Sequence, residues 1–177
     1  MKRLVLLMAF CAGCFQGLAQ SGLKPIVAKQ YILDGMAIAA NGKSPDIIVD
    51  DNDWEGVKRA AGDLQRDIKM VTGNEAALLT GKRSGAAIII GTIGKSRLID
   101  GLVADGKINV AGVAGKWEST LIQVVKNPVS GVDSALVIAG SDKRGAIYGI
   151  YELSSQIGVS PWYYWADVAP QKSDGLY

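Results

Sequence analysis

Two residue counts limit the chemistry open to this chain. It contains 0 His, which excludes a Ser-His-Asp triad, a Cys-His pair and a His-ligated metal. Its 2 Cys are Cys11 and Cys14, both within an apolar leader, so neither disulfides nor thiolate chemistry serve the rest of the chain. Carboxylates, Lys, Tyr and Ser remain, and four stretches bring such residues together.

Gly91-Thr92-Ile93-Gly94-Lys95-Ser96 follows an apolar run and opens a helical pattern, the setting of a phosphate loop. A Walker A loop needs Gly five residues before Gly94, and position 89 is Ile. The turn is also too short for backbone N–H groups to converge on a phosphate, so nucleotide binding is disfavoured. Asp50-Asp51-Asn52-Asp53 has the acid density of a calcium loop but lacks the Gly at loop position six and the Glu at position twelve. Acids here suit the N-terminus of a helix. No metal and no cofactor is expected.

Ser141-Asp142-Lys143-Arg144-Gly145 sits where a strand meets a helix, a place α/β proteins use for ligands. Ser141 or Asp142 suits an N-cap, and Gly145 suits close packing. Arg144 in the first turn opposes the helix dipole, so it requires a carboxylate partner, within the domain or on a neighbouring one.

The densest stretch is Pro161-Trp162-Tyr163-Tyr164-Trp165-Ala166-Asp167. The chain has 4 Trp, 6 Tyr and 2 Phe, and four of these are consecutive here. Read as a strand, Ser160–Trp165 puts Trp162 and Tyr164 on one side and Tyr163 and Trp165 on the other. Large aromatics with polar tips suit a seam with another domain. Aromatic faces also stack on the C–H face of a pyranose, so direct sugar contact is the second reading. Trp162, Tyr163, Tyr164, Trp165, Asp167 and Arg144 are therefore the substrate-facing or inter-domain candidates.

The elements that must position these residues alternate between the periods of strand and helix, which predicts an α/β layer architecture. Extended candidates are Pro25–Leu33, Asp46–Val49, Glu75–Leu79, Ala86–Ile90, Thr120–Lys126 and Ala135–Ala139. Trp54, Val57, Ala60, Ala61, Leu64, Ile68 and Val71 recur at helical spacing, with Asn52 or Asp53 as cap and Gly73 as stop. A modest helix is predicted over Ser96–Ala104. A second strong one buries Ala146, Ile147, Ile150, Tyr151, Ser154 and Ile157 and closes at Gly158. The predicted fold is a mixed sheet of about five to seven strands with two main helices on one face.

Met1-Lys2-Arg3, the apolar Leu4–Phe15 and Gly17-Leu18-Ala19 have the order of a signal peptide, so residues 1–19 are expected to direct export and Gln20 to begin the mature chain. Ala12-Gly13-Cys14 also resembles the end of a lipobox, which would anchor Cys14 to lipid. The apolar run is too short to span a bilayer. Without Lys2 and Arg3 the 19 basic residues fall to 17 against 17 acids, taking the formal charge from +2 to 0. A neutral chain has no electrostatic footprint for nucleic acid.

The run Ala139-Gly140-Ser141-Asp142-Lys143-Arg144-Gly145-Ala146-Ile147-Tyr148-Gly149-Ile150-Tyr151-Glu152-Leu153, continuing through Ile157–Val168 with its aromatic motif, resembles the N-terminal domain of glycoside hydrolase family 115, the xylan α-1,2-glucuronidases. Val57–Ile68 with Val71-Thr72-Gly73 looks like that domain's first helix, and Ile89–Gly94 and Gly115–Glu118 also fit. The helix start at Arg144 is similar, too, to the α/β domain that precedes the barrel in family 67 glucuronidases and β-hexosaminidases. The resemblance implies an N-terminal α/β accessory domain over 20–168. It implies a tail, 169–177, leading towards a catalytic (β/α)8 barrel, with a xylan-type polysaccharide as the parent's substrate. Such a barrel takes about 250 residues, whereas ten follow Asp167. The chain is thus expected to be a truncated product or a stand-alone accessory domain, catalytically silent by itself. The rival reading is a stand-alone carbohydrate-binding module using 162–165.

Overall fold

Alternation along the strands decides which way each side chain points, and so divides the interior into two cores. In the computed structural model, which describes residues 24–80 and 85–177, β3 (Gly85–Thr92) and β5 (Val132–Gly140) form the centre of the sheet. Ile88 and Ile90 of β3 and Leu136 and Ile138 of β5 face one core. Ala87 and Ile89 of β3 and Ala135, Val137 and Ala139 of β5 face the other. A strand apolar on both faces must be covered on both, which is why these runs read as continuous in the sequence. The leader 1–19, with Cys11, Cys14 and the start at Gln20, lies outside the described residues.

The sheet has five strands in the order β2-β1-β3-β5-β4, where β1 is Asp46–Val49, β2 is Leu78–Leu79 and β4 is Thr120–Lys126. The first four run parallel and β4 is antiparallel to β5, so the sheet is mixed, as predicted. Helices α1 (Glu55–Thr72) and α3 (Lys143–Ile157) cover one face. Val57, Ala60, Ala61, Leu64, Ile68 and Val71 of α1 meet Ala146, Ile150, Leu153 and Ile157 of α3 in that core. The shorter α2 (Arg97–Ala104) places Ile99 and Leu102 on the opposite face, beside Ile108 and Val110 of the irregular segment that follows. Gly73 and Gly158 end α1 and α3 in the left-handed conformation, the stop both sequence patterns predict.

Three local expectations are corrected. Pro25–Leu33 is not a strand. Both sheet edges are taken by β2 and β4, and this segment finds other partners: Ile26 N donates to Gln156 Oε1 at 2.6 Å, and Ala28 exchanges two backbone hydrogen bonds with Tyr177 at 2.7 and 2.8 Å. Trp54 does not join the buried arc of α1. It precedes the helix in extended conformation, is 45% exposed and carries Lys95 4.8 Å above its ring. Asp53 does not cap α1 either, because its carboxylate accepts from Thr92 N at 2.7 Å and Thr92 Oγ1 at 2.9 Å, tying the turn before α1 to the end of β3.

Residues 169–177 lie along the α1–α3 face. Gln171 N donates to Gly158 O, Ser173 N to Val71 O, and Leu176 pairs with Ala39 in an isolated antiparallel bridge. Leu176 is 1% exposed and belongs to the same core as α1 and α3.

Candidate functional site

The aromatic run forms no strand. Ser160 Oγ accepts from Trp162 N at 3.2 Å and Ser160 O accepts from Tyr163 N at 2.9 Å. That turn leads into α4 (Tyr163–Ala166), one helical turn that Asp167 ends at φ +49°. Ser160 and Pro161 thus form a turn ahead of α4, whose own N-cap is Trp162, and Pro161 presets the backbone of that turn. This local chemistry overrides the strand preference of Tyr and Trp.

The change of period changes which residues share a face. The strand reading paired Tyr163 with Trp165, whereas residues three apart on a helix are neighbours. Trp162 and Trp165 are 65% and 84% exposed, while Tyr163 packs against the α1–α3 core. Asp167 is exposed. The side chain of Tyr164 lies outside the described residues.

Arg144 stands elsewhere. It opens α3, and thirteen residues at about 1.5 Å each put it roughly 20 Å from the helix end that leads to the aromatics. Its guanidinium donates to the Tyr148 hydroxyl at 2.7 Å and pairs with Glu118 at 2.8 Å; the Tyr148 hydroxyl first, and then the Glu118 charge, hold Arg144 above its ordinary pKa. The carboxylate that the dipole argument requires is therefore within the domain. The structure does not bring Arg144 and Trp162–Trp165 into one site.

Asp142 caps α3. Its carboxylate accepts from Gly145 N at 2.7 Å and Glu118 N at 3.0 Å, and these donors, Gly145 first, hold its pKa below the usual carboxylate range. The stabilisation is thus full above the unfolded-state pKa and lost as pH falls through the lower folded-state value. Asp142→Ala is expected to cost about 1–2 kcal/mol at neutral pH. Urea melts repeated at successively lower pH should show that deficit closing.

The turn Gly91–Ser96 is occupied by its own chain. Gly94 N donates to Asp100 Oδ1 at 2.7 Å, and Ser96 caps α2, so these groups are engaged locally. In the acidic run, burial pushes the Asp50 carboxyl up, but the Asn52 N–H and Arg97 outweigh it and leave Asp50 below its usual value. Among the described residues no group of three or more His, Cys, Asp or Glu is placed to hold a metal ion.

Sequence reasoning missed a second cluster, beneath the turn that leads to α4. Asp63 and Asp67 of α1 and Tyr151 and Ser154 of α3 line one pocket with Val159, Ser160 and Pro161. Tyr151, expected to point inward, is 46% exposed, and its hydroxyl donates to Asp63 Oδ2 at 2.6 Å. Burial pushes the Asp67 carboxyl up; the neighbouring Ser154 hydroxyl opposes this, the Asp63 charge adds to it and Arg66 works against it. The signal was present in the spacing, since Asp67 lies three residues after Leu64 and four before Val71, within the buried arc of α1.

Neither a family model nor a curated sequence matches the chain. A solved structure does. This chain is similar to a family GH115 4-O-methyl-α-glucuronidase with specificity for decorated arabinogalactans, at 31% identity and a TM-score of 0.64. The likeness covers 80% of this chain and 17% of that one, so the chain spans about a sixth of its neighbour's length. The fold is GH115-like, and the chain is related to a domain of a glycoside hydrolase. No helix among the described residues is long and apolar enough to cross a membrane.

Proposed function

We propose that this chain is the N-terminal accessory domain of a xylan α-1,2-glucuronidase-like glycoside hydrolase, exported under the direction of residues 1–19. It seats a catalytic (β/α)8 barrel and is catalytically silent alone. The observation that carries this reading is the GH115 likeness, which spans most of this chain and a small share of a much longer enzyme. Exposed Trp162 and Trp165 support it, because Trp is among the side chains that most often anchor interfaces. The parent reaction would release α-1,2-linked (4-O-methyl)glucuronic acid from xylan, and its general acid and base carboxylates would belong to the barrel.

The test has two arms. The chain alone, incubated with glucuronoxylan or a decorated arabinogalactan, is expected to release no glucuronic acid. A chimera in which it replaces the matching segment of the GH115 neighbour is expected to be active. In that chimera, Trp162→Ser with Trp165→Ser should weaken the seam by roughly 2 kcal/mol or more, read as a lower melting temperature. Release by the isolated chain, lost on removing one acidic side chain, would overturn catalytic silence. A chimera whose melt ignores the double substitution would overturn the seam. Retardation of the isolated chain by xylan in affinity electrophoresis, lost in the double variant, would favour the carbohydrate-binding module instead.

A further inference from the structure

The pocket between α1 and α3 has a volume of about 230 Å³ and is lined by Asp63, Asp67, Tyr151, Ser154, Val159, Ser160 and Pro161. A single water takes about 30 Å³, so the space suits a small organic molecule. Two of its polar groups are buried and lack a full set of partners. Ser154 is 3% exposed and its Oγ makes no hydrogen bond. Asp67 is 4% exposed, has no ion-pair partner among the described residues, and has only the Ser154 hydroxyl beside its carboxyl. Asp63 differs: one of its oxygens takes the Tyr151 hydroxyl and the other the Arg66 guanidinium. Buried polar groups in native structures are normally paired; even with the Ser154 hydroxyl turned to Asp67, the second carboxylate oxygen and the Ser154 lone pairs are left as acceptors, which suits a ligand that donates to both.

We propose that this pocket binds a primary organic ammonium, its charged head on Asp67 and Ser154 and its apolar stem along Val159, Pro161 and the Tyr151 ring. An ammonium carries three N–H donors and no acceptor. One donor suits the Asp67 carboxylate, one the lone pairs of Ser154 Oγ, and the third Asp63 or solvent. A sugar fits less well, because a polyol needs polar partners around its ring, whereas Val159 and Pro161 offer none and the Ser160 hydroxyl already accepts from Trp162 N. A hard divalent cation needs about six oxygens, and the uncommitted ones here belong to Asp67 and Ser154.

The probe is n-butylammonium chloride, titrated into the whole chain while NMR follows the Asp67 carboxyl carbon. The expected result is a saturable shift at Asp67 and Ser154. Binding should weaken roughly tenfold or more for n-butanol, for methyl β-glucoside and for Asp67→Asn, because the charge-assisted bond is lost in each. In the bound chain the Asp67 titration should move to lower pH, since a cation favours the carboxylate. The other ionisable groups facing it are Asp63 and Arg66 on α1 and Tyr151 on α3. Absence of a saturable shift, or equal binding of butanol or the glucoside, overturns the proposal. If Asp67→Asn fails to fold, the parent chain decides: a saturated protein whose Asp67 titration stays in place overturns it.

Discussion

Gly140→Ala is expected to lower the melting temperature by roughly 6–12 °C, from a loss of about 3 kcal/mol at two to four degrees per kcal/mol for a chain of this size. Gly140 ends β5 where α3 begins, and a Cβ there would lie 2.1 Å from Ala146 N and 2.5 Å from Ala146 Cα. Both are backbone atoms, so no rotamer change relieves the clash and the first turn of α3 must move away from the sheet. The same close approach recurs at Gly145, whose added Cβ would meet Ser119 O at 2.3 Å. Gly62→Ala is the control. A Cβ there meets nothing within 4 Å, and the substitution within α1 should stabilise the chain by about 0.4–1 kcal/mol. A Gly140→Ala melt within 2 °C of the parent would show that α3 is not pressed onto the sheet as described.

Leu176→Ala should cost about 2–5 kcal/mol, the usual range for emptying a buried Leu site. Leu176 sits in the core shared by α1 and α3, and its backbone is fixed by hydrogen bonds to Ile38, Ala39 and, through Tyr177, Ala28. The measurement is chemical denaturation of the variant beside the parent. A change below 1 kcal/mol would mean that the 169–177 segment lies on the domain without contributing to its core.

Sequence legibility followed the reach of the forces involved. α1 and α3 could be read because their apolar arcs repeat at 3.6 residues, and β3 and β5 because a strand buried on both faces is apolar throughout. Nothing local announces Leu176, a lone apolar residue among polar neighbours, because its burial depends on Ala39, far away in the chain. Trp162–Trp165 has the composition of a strand, whereas the Ser160-Pro161 turn ahead of it sets a helical backbone. Asp67 is hard to read because an acid in an apolar pattern looks like an interruption, although its register places it inside. The candidate site itself was half legible: the aromatic pair was in view, while the carboxylate pocket beneath it required α1 and α3 to be docked.

The pairing of Ala28 with Tyr177 has a mechanical consequence. The two backbones exchange both hydrogen bonds as an antiparallel pair does, so a pull on the chain before Ala28 and on the carboxyl end of Tyr177 acts at the same end of the pair. Force then peels the hydrogen bonds one after another instead of shearing them together. Under tension the clasp that carries Leu176 would release first, while the register of β3 against β5 remains intact. A domain stretched through these points would therefore lengthen in two stages, and single-molecule pulling should record a small early step before the sheet gives way.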